Sequence, residues 1–423
     1  MSTVGSSVSS GLSLTPFRAL RPSVDADRLG KLLCPPYDVI DDEERAQLLK
    51  LDPDNAVGII LPRPDGGADA YAVAARRLAH AVRSGLFAVD PDPALYIYEM
   101  HPADGAPTRG LLGAVELREP SEGVILPHEN TMPGPLADRL ALMTATQADV
   151  EAIYLVYDSA TATSQLVRDA DDEQPVAAGT TPDGVRHRLW RLTDPEQHAA
   201  IAADLSTRHA LIADGHHRYA TYLRLQHDLR QERGPGPWDR GLALLVDSFT
   251  YGPQVEAIHR VLIGLPLSAA VEQAREACTV RQMASTTQAL DELARTPGFA
   301  AVLADGADTY LLSDLSGRLA EAARMPGEPR ALAELDVTVL HRVLVMQVWH
   351  LDDTVEAVGF AHSVDEALAE AHRTGGTAVL LRPTPPAAVA AIAAAGGRMP
   401  RKSTLFTPKP ASGLVMRRFV DQM

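Results

Sequence analysis

The segment Ala213-Asp214-Gly215-His216-His217-Arg218-Tyr219 constrains this chain more than any other. It follows the apolar run His209-Ala210-Leu211-Ile212 and opens a helix-like pattern through Tyr219, Tyr222, Leu223, Gln226 and Leu229. A buried strand must therefore end in a tight turn, and a helix must start on two imidazoles and a guanidinium. Helix starts carry unpaired backbone N–H groups and partial positive charge. Gly215 allows a ligand to approach the backbone closely. Arg218 adds a planar fork suited to phosphate. The segment reads as a phosphate site with an acid, Asp214, beside it.

The 423 residues allow two or three domains and a sizeable core. No apolar run approaches the roughly 18–20 residues of a membrane span, so no membrane association is expected. A net charge of -16 argues against nonspecific binding to DNA, RNA or an anionic surface. Residues 1–13 are rich in Ser and Gly and read as a disordered tail rather than a signal peptide. The cysteines, Cys34 and Cys278, form no zinc or redox spacing, which suits a cytoplasmic protein.

Pro16, Pro22, Pro35 and Pro36 predict an extended, turn-rich stretch from Leu14 to Ile40. Residues 56–61 (AVGIIL) predict a buried strand, and 43–51, 68–84 and 136–146 predict helices. Strands are expected at 95–100, 110–117, 123–126, 150–157 and 186–192, with a polar linker over 158–184. Helix 195–208, strand 209–213, helix 216–232 and strand 241–247 then give a β-α-β unit. Beyond 264 the chain is Ala-rich and reads as mostly helical, with strands at 299–303, 308–313 and 377–382. The expected organisation is a mixed α/β domain over 14–263 and a C-terminal α/β region over 264–423.

Three further clusters can carry chemistry. His128-Glu129 is followed by a Pro/Gly loop and Arg139; Glu129 is a candidate general base or a loop acid paired with Arg139. His259-Arg260 follows the strand-like stretch 255–258. His341 and His372 also precede Arg but lie in helical contexts, where surface or core roles are expected. Met399 to Lys409 brings Lys402 and Lys409, two of only four lysines, beside Ser403 and Thr404. The lysines suit phosphate, but the spacing is not that of a Walker loop. There is likewise no zinc-protease motif, no nucleophile elbow and no Rossmann glycine fingerprint.

Leu14–Phe17, Pro35–Ile40, His128-Glu129 with Arg139, Ala213–Tyr219, Ile258–Arg260 and Met399–Val415 together resemble, in order and nearly end to end, the family called domain of unknown function 1015. The His-Glu, Arg and Asp-Gly-His-His-Arg series also looks like the free-serine kinases of the ParB/sulfiredoxin superfamily. That resemblance implies an α+β fold with a ParB/sulfiredoxin-like nucleotide-binding core, additional mixed α/β elements and a helical C-terminal region. It implies a kinase transferring a phosphoryl group from ATP or ADP to the hydroxyl of free L-serine or a close analogue.

In this expectation Glu129 is the base, with Asp214 and His217 also catalytic. His216, Arg218, Arg139, His259, Arg260, Lys402, Ser403, Thr404 and Lys409 bind phosphates or nucleotide. His128, Tyr37 and Asp38 face the substrate. Mg²⁺ accompanies the nucleotide near Asp214. A ParB-like nucleotide-binding switch without kinase activity and a phosphohydrolase using the same pocket are the alternatives.

Overall fold

The computed structural model describes residues 11–158, 162–170 and 173–423. The expected tail falls on undescribed residues except at 11–13, and there the chain is packed: Leu12 is buried and its N–H bonds to the Arg208 carbonyl at 2.9 Å. Contacts divide the chain into two units. The first comprises the chain up to Pro127, Thr131–Pro253 and Pro408–Met423; the second comprises His128–Asn130 and Gln254–Thr407. The expected boundary at 263/264 thus moves to 253/254, and the last residues return to the first unit. The return has a cause in pairing, since Arg417–Arg418 forms a ladder with Ala148–Asp149 and the buried Arg417 guanidinium meets Asp149 at 2.9 Å.

The first unit is organised by a nine-stranded sheet. Its strands are β1 (Leu14–Thr15), β2 (Leu95–His101), β3 (Thr108–Glu116), β4 (Ile125–Leu126), β5 (Ile153–Tyr157), β6 (Ala177–Thr180), β7 (Arg186–Leu192), β8 (Ala210–Asp214) and β9 (Arg240–Asp247). The order is β4-β8-β5-β9-β3-β2-β7-β6, with β1 added against β3. Only β8/β4 and β9/β5 are parallel. Helices α1 (Pro133–Thr146) and α2 (His216–Arg233) pack together. The β2, β3, β5, β7, β8 and β9 side chains build one apolar core around Ile97, Leu155, Trp190, Ile212 and Leu245, closed by Tyr219, Tyr222 and Leu225 of α2. Burying each large apolar side chain contributes about 1.5–3 kcal/mol.

Several expectations give way here. Strand β5 lies between β8 and β9 and is antiparallel to β8 but parallel to β9. The strands joined by α2 therefore run in opposite directions, and the expected β-α-β crossover is absent. Residues 57–60 form a buried helical turn rather than a strand. A short apolar run does not tell the two apart by periodicity, and the Asn55 side chain decides it by accepting from the Val57 N–H at 2.9 Å. Asp25 caps a helix at Ala26–Leu32 inside the stretch expected to be extended. The 158–184 linker contains helix Ala162–Asp169 and strand β6.

The second unit is built on an antiparallel six-stranded sheet. Its strands are β10 (His259–Leu262), β11 (Thr279–Met283), β12 (Ala301–Ala304), β13 (Thr309–Ser313), β14 (Val358–Ala361) and β15 (Thr377–Leu380), in the order β11-β13-β12-β15-β10-β14. Helices Thr286–Arg295 and Val364–Thr374 are capped by Ser285 and Ser363 and bury Ala289, Leu293, Ala367 and Ala371 against that sheet. The helical character expected beyond 264 is present, but the sheet is its organiser. Alanine-rich helix faces let these helices lie close to the strands.

Candidate active site

Strand β8 reads Ala-Leu-Ile-Ala-Asp and is buried throughout, so it delivers Asp214 to the interior edge of the core. Gly215 follows with φ at +93°, a left-handed conformation that favours glycine. A Cβ there would also lie 3.1 Å from the Arg218 guanidinium carbon. The first turn of α2 then begins with no side-chain cap. An uncapped start on an 18-residue helix leaves N–H groups and the positive end of the dipole for an anion.

One turn along, Arg218 reaches back to Asp214 Oδ2 and to the Ala152 carbonyl. Lys409 donates to Asp214 Oδ1 and stands 3.6 Å from Asp38. Burial pushes the Asp214 carboxyl up, but Lys409 and Arg218 outweigh it and hold it down at about 2. Burial alone would lower Lys409, whereas Asp214 and Asp38 raise it above its ordinary value. Both cations therefore stay charged at neutral pH around an ionised Asp214. Two buried polar groups here have no hydrogen-bond partner among the described residues: the Arg218 Nε–H and the hydroxyl of Tyr154. Tyr154 stands opposite Asp214 in the β5/β8 register. Buried donors left in this way mark a place where a ligand or water is expected.

A second layer orients this cluster. Glu151 is buried; it accepts from the Tyr37 N–H and the Ser412 hydroxyl, each at 3.2 Å, and pairs with Arg139 at 3.2 Å. Arg139 also binds Asp138 at 2.6 Å, and its guanidinium lies 4.0 Å from the centre of the Tyr37 ring. Arg139 thus engages two carboxylates and an aromatic face, and it positions Tyr37. His217 Nε2 accepts the Met132 N–H at 2.9 Å, so this ring holds the turn before α1 rather than presenting that nitrogen for catalysis. His216 is buried at the first helical position. Glu151 is the residue that sequence reasoning missed. Its signal was an acid heading an otherwise apolar strand.

The remaining predicted residues gather in the second unit. His128 is fully buried; its Nε2 lies 2.9 Å from the Thr404 hydroxyl and its carbonyl accepts the Met399 N–H at 2.8 Å. Glu129 is half-buried and accepts the Ser403 N–H at 3.4 Å. Ser403 donates to the Pro400 carbonyl at 2.6 Å. Lys402 has a positive φ of 51°, which turns the 399–404 loop sharply.

Arg260 sets that turn. It is completely buried, and its Nε donates to His341 Nε2 at 2.9 Å. Its two Nη groups serve the carbonyls of Ile258, His259, Arg401 and Lys402. Five donors are so committed, and Arg260 is a structural pin rather than a phosphate ligand. His341 passes its other nitrogen to Asp353 at 2.9 Å. His259 accepts the Leu381 N–H at 3.2 Å, and burial lowers it to about 4, so it is a neutral core histidine. The two lysines of the 399–409 segment separate, Lys402 to the second unit and Lys409 to the first.

Among the described residues no three of His, Cys, Asp or Glu gather as a metal site. Asp214, the expected metal ligand, has one oxygen on Lys409 and the other on Arg218. It does not fit the role of a direct metal ligand. Among the described residues no helix is long and apolar enough to cross a membrane.

Solved structures similar to this chain include a conserved hypothetical protein from Pyrococcus furiosus, at 15% identity over 71% of this chain and 94% of that one, with a TM-score of 0.35. A free serine kinase in complex with AMP aligns at 15% identity over 67% and 83%, with a TM-score of 0.34. C-terminally truncated SbnI from Staphylococcus aureus aligns at 12% identity over 71% and 85%, with a TM-score of 0.36. No curated protein matches the chain. The profile described as "Protein of unknown function (DUF1015)" matches residues 14–338. That span is well over half of the chain, which therefore belongs to the DUF1015 family.

Proposed function

We propose that this protein is a small-molecule kinase that moves a phosphoryl group from ATP or ADP to the hydroxyl of free L-serine or a close analogue. The observation that carries the reading is the Asp214–Arg218–Lys409 cluster at the uncapped, glycine-opened start of α2, with the Arg218 Nε–H and Tyr154 hydroxyl buried and unpartnered beside it. Phosphoryl transfer depends mainly on positioning and charge neutralisation. The helix start and His216 take the phosphate oxygens. Arg218 and Lys409 supply two fixed positive charges, and Asp214 orients both as a positioning residue. Tyr37 and Asp38 bound the cluster as the acceptor side, with Tyr37 fixed by Glu151 and Arg139.

The resemblance of the His128-Glu129 motif to that of the free-serine kinases assigns Glu129 the acceptor's proton. As the hydroxyl oxygen bonds to phosphorus, the bridging bond to the leaving nucleotide breaks, its electron pair goes to the nucleotide, and Glu129 becomes protonated. The Ser403 N–H orients that carboxylate by its 3.4 Å bond.

Phosphorus NMR of the protein with Mg-ATP or Mg-ADP, with and without L-serine, tests the proposal. A phosphomonoester signal that requires serine is expected. Inorganic phosphate alone would point to hydrolysis and sink the kinase reading. Glu129→Gln should keep nucleotide affinity and lose about 100-fold or more in turnover. Near-normal turnover in that variant would remove Glu129 as the base.

A further inference from the structure

The first unit also holds a cavity of about 680 Å³ lined by parts of five segments of the chain, among them Phe17, Arg18, Pro237, Arg240, Arg417 and Gln422. None of the Asp214 cluster residues lines it. The Leu14–Phe17 motif, to which the kinase reading gives no role, forms one wall. The volume falls within the roughly 300–1,000 Å³ range of small-molecule sites.

The charges of this cavity are unevenly matched. Arg417 is buried, and its guanidinium pairs with Asp149 at 2.9 Å and serves the Pro237 and Arg240 carbonyls. Arg18 donates only to neutral acceptors, the main-chain carbonyls of Asp90 and Pro91. Arg240 is half-buried; its Nε–H is buried without an acceptor among the described residues, and no ion pair engages it there. The acidic side chain of the lining, Asp421, is already held by Arg418 through two bonds of 2.7 Å. Among the described residues, two guanidinium groups thus line one cavity with no ion pair to either. Guanidinium forks match phosphate and carboxylate oxygens.

We propose that this cavity is a second small-anion site, separate from the candidate active site, that takes a phosphorylated or carboxylated metabolite on Arg18 and Arg240. The rings of Phe17, Pro16, Pro91, Pro93 and Pro237 offer the body of that metabolite an apolar wall. The Arg18 main chain is already clipped to the Gln422 amide by bonds of 3.1 and 3.0 Å. The bound anion would therefore join segments that the fold holds close.

Titration calorimetry with inorganic pyrophosphate and with succinate tests this on the full-length protein and on Arg240→Gln, Arg18→Gln and Arg218→Gln. The expected result is an anion-binding event that Arg240→Gln weakens at least tenfold and Arg218→Gln leaves in place. Arg18→Gln should weaken the same event, which keeps the test intact should the first variant fold poorly. Pyrophosphate binding to Arg218→Gln identifies the phosphate class, and succinate binding identifies the carboxylate class. If Arg240→Gln titrates as the wild type does, or if Arg218→Gln binds neither anion, the second site does not exist.

Discussion

Lys409→Met removes one of the two cations that keep Asp214 ionised inside the first unit. The size of the effect follows from the carboxyl itself. Its ordinary value is 3.8 and the fold holds it at about 2. That difference corresponds to about 2–3 kcal/mol of stability at neutral pH. The sign follows from the direction: a carboxyl held low in the folded state stabilises above its unfolded value, and the contribution is lost as pH falls from about 4 towards 2. Lys409 contributes more to this than Arg218, so its removal should cost roughly 1–2 kcal/mol or more, because the burial penalty of Asp214 remains. Hydrogen exchange of the amides in β8 and the first turn of α2 reads the local opening free energy directly. A double-mutant cycle with Asp214→Asn isolates the pair. The acid limb of stability between about pH 4 and 2 should also flatten in Lys409→Met, because protonating Asp214 then costs the folded state less. A coupling under about 0.5 kcal/mol, with an unaltered acid limb, would refute the claim that Lys409 holds Asp214 charged.

Two further outcomes follow from groups outside that cluster. Arg260→Met leaves His341 and four carbonyls without their shared donor, so exchange and proteolysis over 399–404 should accelerate, at a cost of about 3 kcal/mol or more; an unchanged loop would show that Arg260 is not its pin. His187 is buried between the Tyr98 hydroxyl at 2.8 Å and the Thr181 hydroxyl at 3.0 Å, and burial lowers it from 6.5 to about 4. The unfolded chain binds this proton first, so stability should fall by about 3 kcal/mol as pH drops from 6.5 to 4. His187→Asn should flatten that slope, and an unaltered pH profile of thermal unfolding would count against it.

Much of the local structure was legible in the sequence. The strand at 186–192 and the helix starting at 216 lie where periodicity and the Asp-Gly turn put them. The helix at 70–83 follows from its apolar spacing and an Asp69 cap. The failures have distinct causes. AVGIIL carries no alternation, so only the Asn55 contact selects a helical turn. The β-α-β expectation assumed that strands consecutive in sequence are neighbours in the sheet, but β5, contributed from 153–157, occupies that position. His-Arg at 217 and 259 looked alike, yet one opens an uncapped helix and the other is locked inside a sheet. Nothing local to either dipeptide records that difference.

The sequence by itself determined the turn at Gly215, the helix start that follows it and the family of the chain. The turn and the helix start depend on residues within one helical turn of each other, where backbone sterics and unpaired N–H groups act, and the family is legible because its motifs recur in order along the chain. Tertiary structure alone decided which charges meet. Asp214 finds Lys409 across 195 positions, and His128 finds Thr404 across 276. Arg139 and Arg260, which looked like phosphate ligands, are engaged by carboxylate, imidazole and carbonyl partners. A guanidinium in a sequence is only a donor; whether it stays available depends on the acceptors that chain return places around it, since burying those groups unpaired costs more than pairing them.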